Sequence, residues 1–369
     1  MSHQVYSPTS NEPGSENGTG QRDDRRSPSE GAFRASEADP VETLLLTSSA
    51  FVLARCLHIV AELSVADALN DTPQTPGSLA TATGVDACAL GRILGLLAAN
   101  GIFKLHDGEV QHTPASRLLR TDDPQSMRAT VGWLGSPIMR ESFDALEHTV
   151  RTGSPAAEHV ADGGMWTYLA EHPAEGRLFE EAMTGKAHGQ IARVLALYDF
   201  SSFGVIGDIG GGYGHLLRAV LDTAPDAQGV LFELPRVIDQ VVGIASERLR
   251  LKAGDFFVDT LPTCDAYVLM QVIHDWGDEQ AVKILTAVRR VAPSRARLLL
   301  IETIIPDDPH PNWAKVLDIY MLTAHGGQER TRSQYAELLG AAGFQLERAI
   351  DLGADEAILE ASPRPGWAS

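Results

Sequence analysis

From residue 203 onward the chain alternates short apolar runs with amphipathic ones, and no other feature constrains its fold as much. Residues 205–209, 228–233, 249–253, 266–270 and 297–302 have the length and apolar character of buried strands, while 215–223, 235–245 and 279–292 between them carry helical spacing. Strand, crossover helix and strand repeated in this way call for right-handed, parallel connections. The expectation is an α/β fold with a doubly wound, Rossmann-like sheet. Such sheets bind ligands in the crevice outside the carboxyl ends of their strands, so the residues that end each strand carry the functional information.

The first strand end reads Val205-Ile206-Gly207-Asp208-Ile209-Gly210-Gly211-Gly212-Tyr213-Gly214. Glycine at 210, 212 and 214 lets the backbone turn tightly and come close to a ligand. The spacing is GxGxG, not the GxGxxG fingerprint of dinucleotide sites. Asp208, two residues before the first glycine, would repel a pyrophosphate but suits a cationic amino-acid head or a sulfonium. The second strand ends in Phe232-Glu233-Leu234-Pro235, an acid where a ribose diol is hydrogen-bonded. The third ends in Gly254-Asp255-Phe256-Phe257, a carboxylate for an adenine amino group and a ring to stack on it. Taken singly, such an acid is more often solvated and such a ring more often core. At three consecutive strand ends they describe an adenosine-shaped site.

The fourth strand runs into Met270-Gln271-Val272-Ile273-His274-Asp275-Trp276. A histidine just past the carboxyl end of a parallel strand faces the ligand crevice, and an imidazole pKa of about 6.5 suits a general base near neutrality. The structural alternative is a capped turn before a helix at Asp278.

The order DIGGGYG, FELP, GDFF, HDW and GGQERT resembles the plant-type, caffeate-like small-molecule O-methyltransferases and their bacterial relatives in antibiotic biosynthesis. The resemblance covers roughly residues 41 to 362. It implies an S-adenosylmethionine-dependent methyltransferase domain preceded by a mainly helical winged-helix dimerisation domain, in a homodimer whose N-terminal helices help close the partner's substrate pocket. By position it implies that Gly210, Gly212, Gly214, Asp208, Glu233, Leu234, Asp255, Phe256 and Met270 hold S-adenosylmethionine. Met270 departs from the plant pattern, where lysine is common, and one polar cofactor contact is lost there. The resemblance makes His274 the general base for a phenol or hydroxyl of a small aromatic secondary metabolite, with Glu302 and Glu329 flanking it.

Two alternatives stay open. His274, Asp275 and His325 are two imidazoles and a carboxylate, the ligand set of a non-haem iron facial triad, which would point to metal-assisted C-methylation of a 2-oxo acid. A non-methylating hydroxylase or cyclase on the same fold is the other. Without iron, no metal is expected, and His325 lines the substrate pocket or the surface. Trp133, Trp166, Met183, Asp275, Trp313, Asp318, Met321 and His325 are the pocket-lining candidates, and they suggest a flat aromatic guest.

Upstream, residues 1–40 are rich in Ser, Pro, Gly, Asn, Asp and Glu and are expected to be a disordered tail. Residues 41–198 read as a helical and winged-helix domain, with a β-ribbon near 104–113, and 199–369 as the cofactor-binding domain. A winged helix often reads DNA, but here the second helix offers only Arg92 as a base-reading cation. Asp+Glu 49 against Lys+Arg 30 gives a formal net charge of -19, which repels phosphate backbones and anionic lipid, so neither nucleic acid nor membrane is an expected partner. Cys56, Cys88 and Cys264 form no CxxC pair, which argues against a disulfide scaffold or a cysteine zinc site. With no recognisable signal peptide, and no stretch approaching the roughly 20 apolar residues that span a bilayer, a cytoplasmic location is expected.

Overall fold

The computed structural model describes residues 39–367. Most of the expected N-terminal tail therefore lies outside the described residues, and a helix begins at Pro40.

From Leu46 onward the chain packs as one compact unit. Its centre is a seven-stranded sheet of order β5-β4-β3-β6-β7-β9-β8, where β3 is Val205–Ile209, β4 Gln228–Glu233, β5 Leu249–Ala253, β6 Ala266–Met270, β7 Arg297–Thr303, β8 Phe344–Gly353 and β9 Glu356–Pro363. β3 to β7 pair in parallel. The parallel expectation needs one extension: β9 pairs antiparallel with both β7 and β8, so the sheet is mixed. Sequence reading passed over this C-terminal hairpin because β8, Phe344-Gln-Leu-Glu-Arg-Ala-Ile-Asp-Leu-Gly, is half-exposed and interrupts its apolar residues with charge.

Both faces of the central strands are buried, and successive residues of β6 and β7 alternate between two cores. Tyr267 and Leu269 of β6 and Leu298 and Leu300 of β7 join a core with Ile284, Leu285 and Val288 of the helix Asp278–Val291. Ala266, Val268, Leu299 and Ile301 point the other way, toward Leu216, Leu217 and Val220 of the helix His215–Thr223. The region expected to form a helix at 235–245 is shorter and broken, with Pro235–Ile238 helical and Val242–Ile244 a single 3-10 turn. Strand order reverses direction between β3 and β6, and a ligand crevice opens at such a switch point.

The N-terminal part has the expected winged-helix elements. Helices Pro76–Thr83 and Ala87–Ala99 meet at Gly84, whose φ of 71° supplies the left-handed C-cap. Thr75 and Asp86 accept the amides of Ser78 and Ala89 as N-caps. The ribbon follows as β1, Phe103–His106, and β2, Glu109–His112. Leu79, Leu90, Leu94, Leu97, Phe103 and Val110 share one apolar core.

One expectation is corrected. Pro40–Glu62, which takes in the helices Pro40–Ser48 and Ala50–Glu62, is a stretch of 23 residues with mean hydropathy 1.8, long and apolar enough to cross a membrane by length and composition alone. Glu42, Ser48, Ser49, Arg55 and Glu62 interrupt the run, which is why it does not stand out in the sequence. Leu46, Phe51 and Val52 are exposed on it.

Candidate active site

The carboxyl ends of β3 to β7 bring the expected residues together. At the end of β3, Gly210, Gly212 and Gly214 have φ of 71°, 54° and 71°, the left-handed region that glycine enters without a Cβ penalty. Space matters as much as φ at Gly211, where a Cβ would overlap the Asp208 carboxyl group. The loop thus curls directly over Asp208, which is buried, and neither of its side-chain oxygens has a hydrogen-bond partner among the described residues. Burial, and then the charge of Glu233, push its pKa up to about 7. Asp208 sits under the loop and not in the open crevice, so its field reaches a ligand across the loop backbone.

Glu233, at the end of β4, has both carboxylate oxygens oriented by amides. Oε1 accepts Leu234 N at 2.7 Å and Oε2 accepts Gly212 N at 3.1 Å. Each oxygen keeps a lone pair for a further donor. Above Gly212 the space is open, with nothing within 4 Å of a built Cβ. At the end of β5, Asp255 Oδ1 accepts Phe257 N at 2.8 Å, and the Phe256 ring stands edge-on to Trp276 with centroids 5.9 Å apart. Met270 ends β6, half-buried against the sheet core. These residues stand side by side at the carboxyl ends of β5, β4, β3 and β6.

The next residue, Gln271, has φ 54°, an uncommon conformation for a side chain of its size, and a 3-10 turn over Ile273–Asp275 follows. That turn carries His274 and is held from both sides. Glu302, fully buried near the end of β7, accepts Val272 N at 3.2 Å and Ile273 N at 2.9 Å on Oε1. From the opposite side, the buried Arg330 guanidinium donates to the carbonyls of Ile273 and Trp276 and to Asp278 Oδ1, while Gln328 N donates to His274 O at 2.9 Å. Gly327 permits this approach, since a Cβ there would overlap the His274 carbonyl.

His274 Nδ1 lies 2.7 Å from Glu329 Oε1, and Glu329 N donates at 2.9 Å to Asp318 Oδ1. Asp275 Oδ1 is 3.5 Å from His274 Nε2. Burial opposes charge on the ring, but Asp275, the Glu329 hydrogen bond and Glu302 outweigh it and push the imidazole pKa up to about 9. Glu302 itself is pushed up to about 7 by burial. Glu302 thus holds the turn's amides and acts on the ring through its charge alone, whereas Glu329 touches the ring. Asp318, expected to line the pocket, is half-buried and accepts the backbone amide of Glu329.

Beside His274 lies an aromatic cluster. Trp133 is buried and meets Phe179 edge-on at 4.9 Å; Trp166 meets Phe179 at 5.7 Å and stacks on His325 at 5.0 Å. Met183 and Tyr320 pack into the same group. Met321 contributes its carbonyl, which accepts His325 N and Gly326 N. Trp313, largely exposed, is 6.1 Å from Tyr320 at the outer edge. Among the described residues no three His, Cys, Asp or Glu side chains are grouped to hold a metal ion, so His274, Asp275 and His325 do not form the facial triad of the alternative reading. His325 packs on Trp166 while its Nδ1 is buried without a partner. Phe179, Tyr320, Gln271 and Arg330 went unassigned at the sequence level. Arg330 alone carried a signal, since it lies inside the GGQERT motif.

An O-methyltransferase domain matches residues 143–345, and an O-methyltransferase dimerisation domain matches residues 45–122. The chain is 36% identical over 334 residues to the phenazine O-methyltransferase of Lysobacter antibioticus, covering 88% of this chain and 97% of that one. It is 33% identical over 330 residues to the O-demethylpuromycin-O-methyltransferase of Streptomyces alboniger, covering 86% and 87%. Among solved structures, the calicheamicin-biosynthesis methyltransferase CalO1 in its SAH-bound form superposes with a TM-score of 0.80 at 31% identity, over 88% of this chain and 99% of that one. The chain belongs to the O-methyltransferase family with an N-terminal dimerisation domain, and it is an S-adenosylmethionine-dependent methyltransferase.

Proposed function

We propose that the enzyme methylates a phenolic or other hydroxyl oxygen on a flat aromatic secondary metabolite, with His274 as general base. The observation that carries this reading is the His274–Glu329 hydrogen bond at the carboxyl end of β6, beside an aromatic cluster. The similarity to enzymes named for O-methylation of phenazine and of O-demethylpuromycin supports an aromatic acceptor.

The crevice fits the cofactor on its own chemistry. Glu233 presents an amide-oriented carboxylate for a ribose diol, Asp255 and Phe256 at the next strand end offer a carboxylate and a ring to an adenine, and the space above Gly212 is open. Leu234 and Met270 supply apolar contact at the same edge. When bound, S-adenosylmethionine supplies an electrophilic methyl group on a sulfonium. Everything else falls to this chain. With Nδ1 donating to Glu329, His274 leaves Nε2 to accept the hydroxyl proton, and Glu329 stabilises the imidazolium that results. Glu302 and Arg330 fix the turn that carries the ring. Trp133, Trp166, Phe179 and Met183 orient the guest and exclude water. Holding acceptor and donor in line contributes up to about 7–11 kcal/mol, against a roughly 10²–10⁴-fold gain from the base, so positioning dominates.

The molecule acts as a homodimer on this reading. The dimerisation domain match and the exposed Leu46, Phe51 and Val52 support it, since a second copy would cover them. The direct test is turnover of fused-ring phenols by the wild type and His274→Ala beside their affinity for S-adenosylhomocysteine. Loss of turnover with affinity kept is the expected result, and loss of both would refute the assignment of His274 as a base.

A further inference from the structure

Helix Pro173–Leu197 lies along the glycine loop and its helix. Tyr213 Oη donates to Glu180 Oε1 at 2.8 Å, and the rings of His188 and His215 are 5.6 Å apart. Between these two contacts the helix carries Lys186, whose half-buried ammonium donates to Gln271 Oε1 at 2.5 Å. Among the described residues Lys186 has no ion-pair partner, although an ammonium has three donors. Gln271 is fixed at both ends of its amide: Oε1 faces Lys186, while Nε2 reaches the Ile301 carbonyl at 3.5 Å. Its left-handed backbone, φ 54°, belongs to the same fixed arrangement.

Where this cation sits is set by strand order. Glu233 ends β4 and Asp255 follows β5, so an adenosine bound by them lies over the β5–β4 side of the sheet. Its amino-acid tail then extends toward β3 and β6, where Gln271 follows Met270. Val272 stands beside the loop there, 3.2 Å from a Cβ built on Gly210. Acids crowd this edge: Asp208, Glu233, Asp255, Asp275 and Glu302. A ligand carboxylate arriving among them needs a positive partner, and Met270 offers none.

We infer that Lys186, presented by Gln271, binds the α-carboxylate of the cofactor's amino-acid tail. The inference rests on the placement of adenosine over β4 and β5 under the proposed function. It gives the long helix a direct part in cofactor recognition, and because the same helix bears Phe179 and Met183, it joins that contact to the aromatic pocket.

The test is calorimetric titration of the full chain with three probes: S-adenosylhomocysteine, its decarboxylated analogue, and 5′-methylthioadenosine. The wild type should prefer S-adenosylhomocysteine to the decarboxylated analogue by about tenfold or more, as a charge-assisted pair requires. Lys186→Met should erase that preference and leave the other two affinities unchanged. Equal weakening of all three ligands would reduce Lys186 to a support for its helix and overturn the inference, and so would a preference that survives the substitution. Lys186→Gln is read in the same way if Lys186→Met does not fold. Failure of the wild type to bind 5′-methylthioadenosine would overturn the adenosine placement, and the inference with it.

Discussion

Glu329 Oε1 lies 2.7 Å from His274 Nδ1, and the amide of the same glutamate is held by Asp318 at 2.9 Å. Two acids thus fix the ring, Glu329 directly and Asp318 through the Glu329 amide, from a backbone 55 residues away in sequence. The carboxylate both selects the tautomer and raises the basicity of the ring.

The pH dependence follows from that pair. The base works only when neutral, so kcat/KM should rise with pH and level off above the His274 pKa, which lies near 9 and not at the ordinary imidazole value. Replacing Glu329 by Gln removes an anion that favours the imidazolium, so the rising limb should shift toward lower pH while the plateau falls. A limb that stays in place in Glu329→Gln would show that another group sets it.

Asp208 predicts a second pH effect, on binding. Its pKa is raised to about 7, so its negative charge is present above that pH and lost below it. S-adenosylmethionine carries one more positive charge than S-adenosylhomocysteine. Its affinity relative to S-adenosylhomocysteine should therefore fall by about threefold to tenfold as pH drops through 7, and Asp208→Asn should flatten that ratio. Calorimetry across pH 6 to 8 reads it directly.

Two glycines separate binding from chemistry. A Cβ at Gly211 collides with Asp208, and one at Gly327 collides with the His274 carbonyl. Gly211→Ala should weaken S-adenosylhomocysteine by about tenfold or more, whereas Gly327→Ala should lower kcat and leave that affinity nearly intact. Titration and steady-state kinetics of the two variants check the contrast.

Arg330 is almost wholly buried and ties Ile273, Trp276 and Asp278 together. Arg330→Met leaves the Trp276 carbonyl without its donor, takes one of two donors from the Ile273 carbonyl and removes charge-assisted bonds, for a stability loss of roughly 2–4 kcal/mol. Asp278 is largely solvated, so most of the loss comes from the carbonyls. Urea unfolding of the variant measures it.

Much of this was legible in the sequence. Strands β4 and β6 declare themselves because both faces are buried, which makes each an apolar run, whereas the edge strand β5 shows only Leu249 and Leu251 between Arg250 and Lys252; Gly210, Glu233, Asp255 and His274 follow as strand-end residues. The hairpin β8–β9 was not legible, because its half-exposed outer strand mixes charge with apolar residues. Lys186 and Gln271 could not be paired from sequence: they are 85 residues apart, on a helix and a strand end that only the tertiary fold brings together. The same limit hid that Asp318 serves Glu329 and that His325 packs on Trp166 instead of joining a metal triad.

The central claim is methyl transfer to oxygen with His274 as base. The most direct measurement supplies S-adenosylmethionine bearing a ¹³C-labelled methyl group with a panel of fused-ring phenols, hydroxyphenazine among them, and locates the label by NMR in products of the wild type and His274→Ala. The account predicts label on a phenolic oxygen and a roughly 10²–10⁴-fold slower variant. Label on carbon, no transfer to any of these phenols, or undiminished turnover in His274→Ala would contradict it.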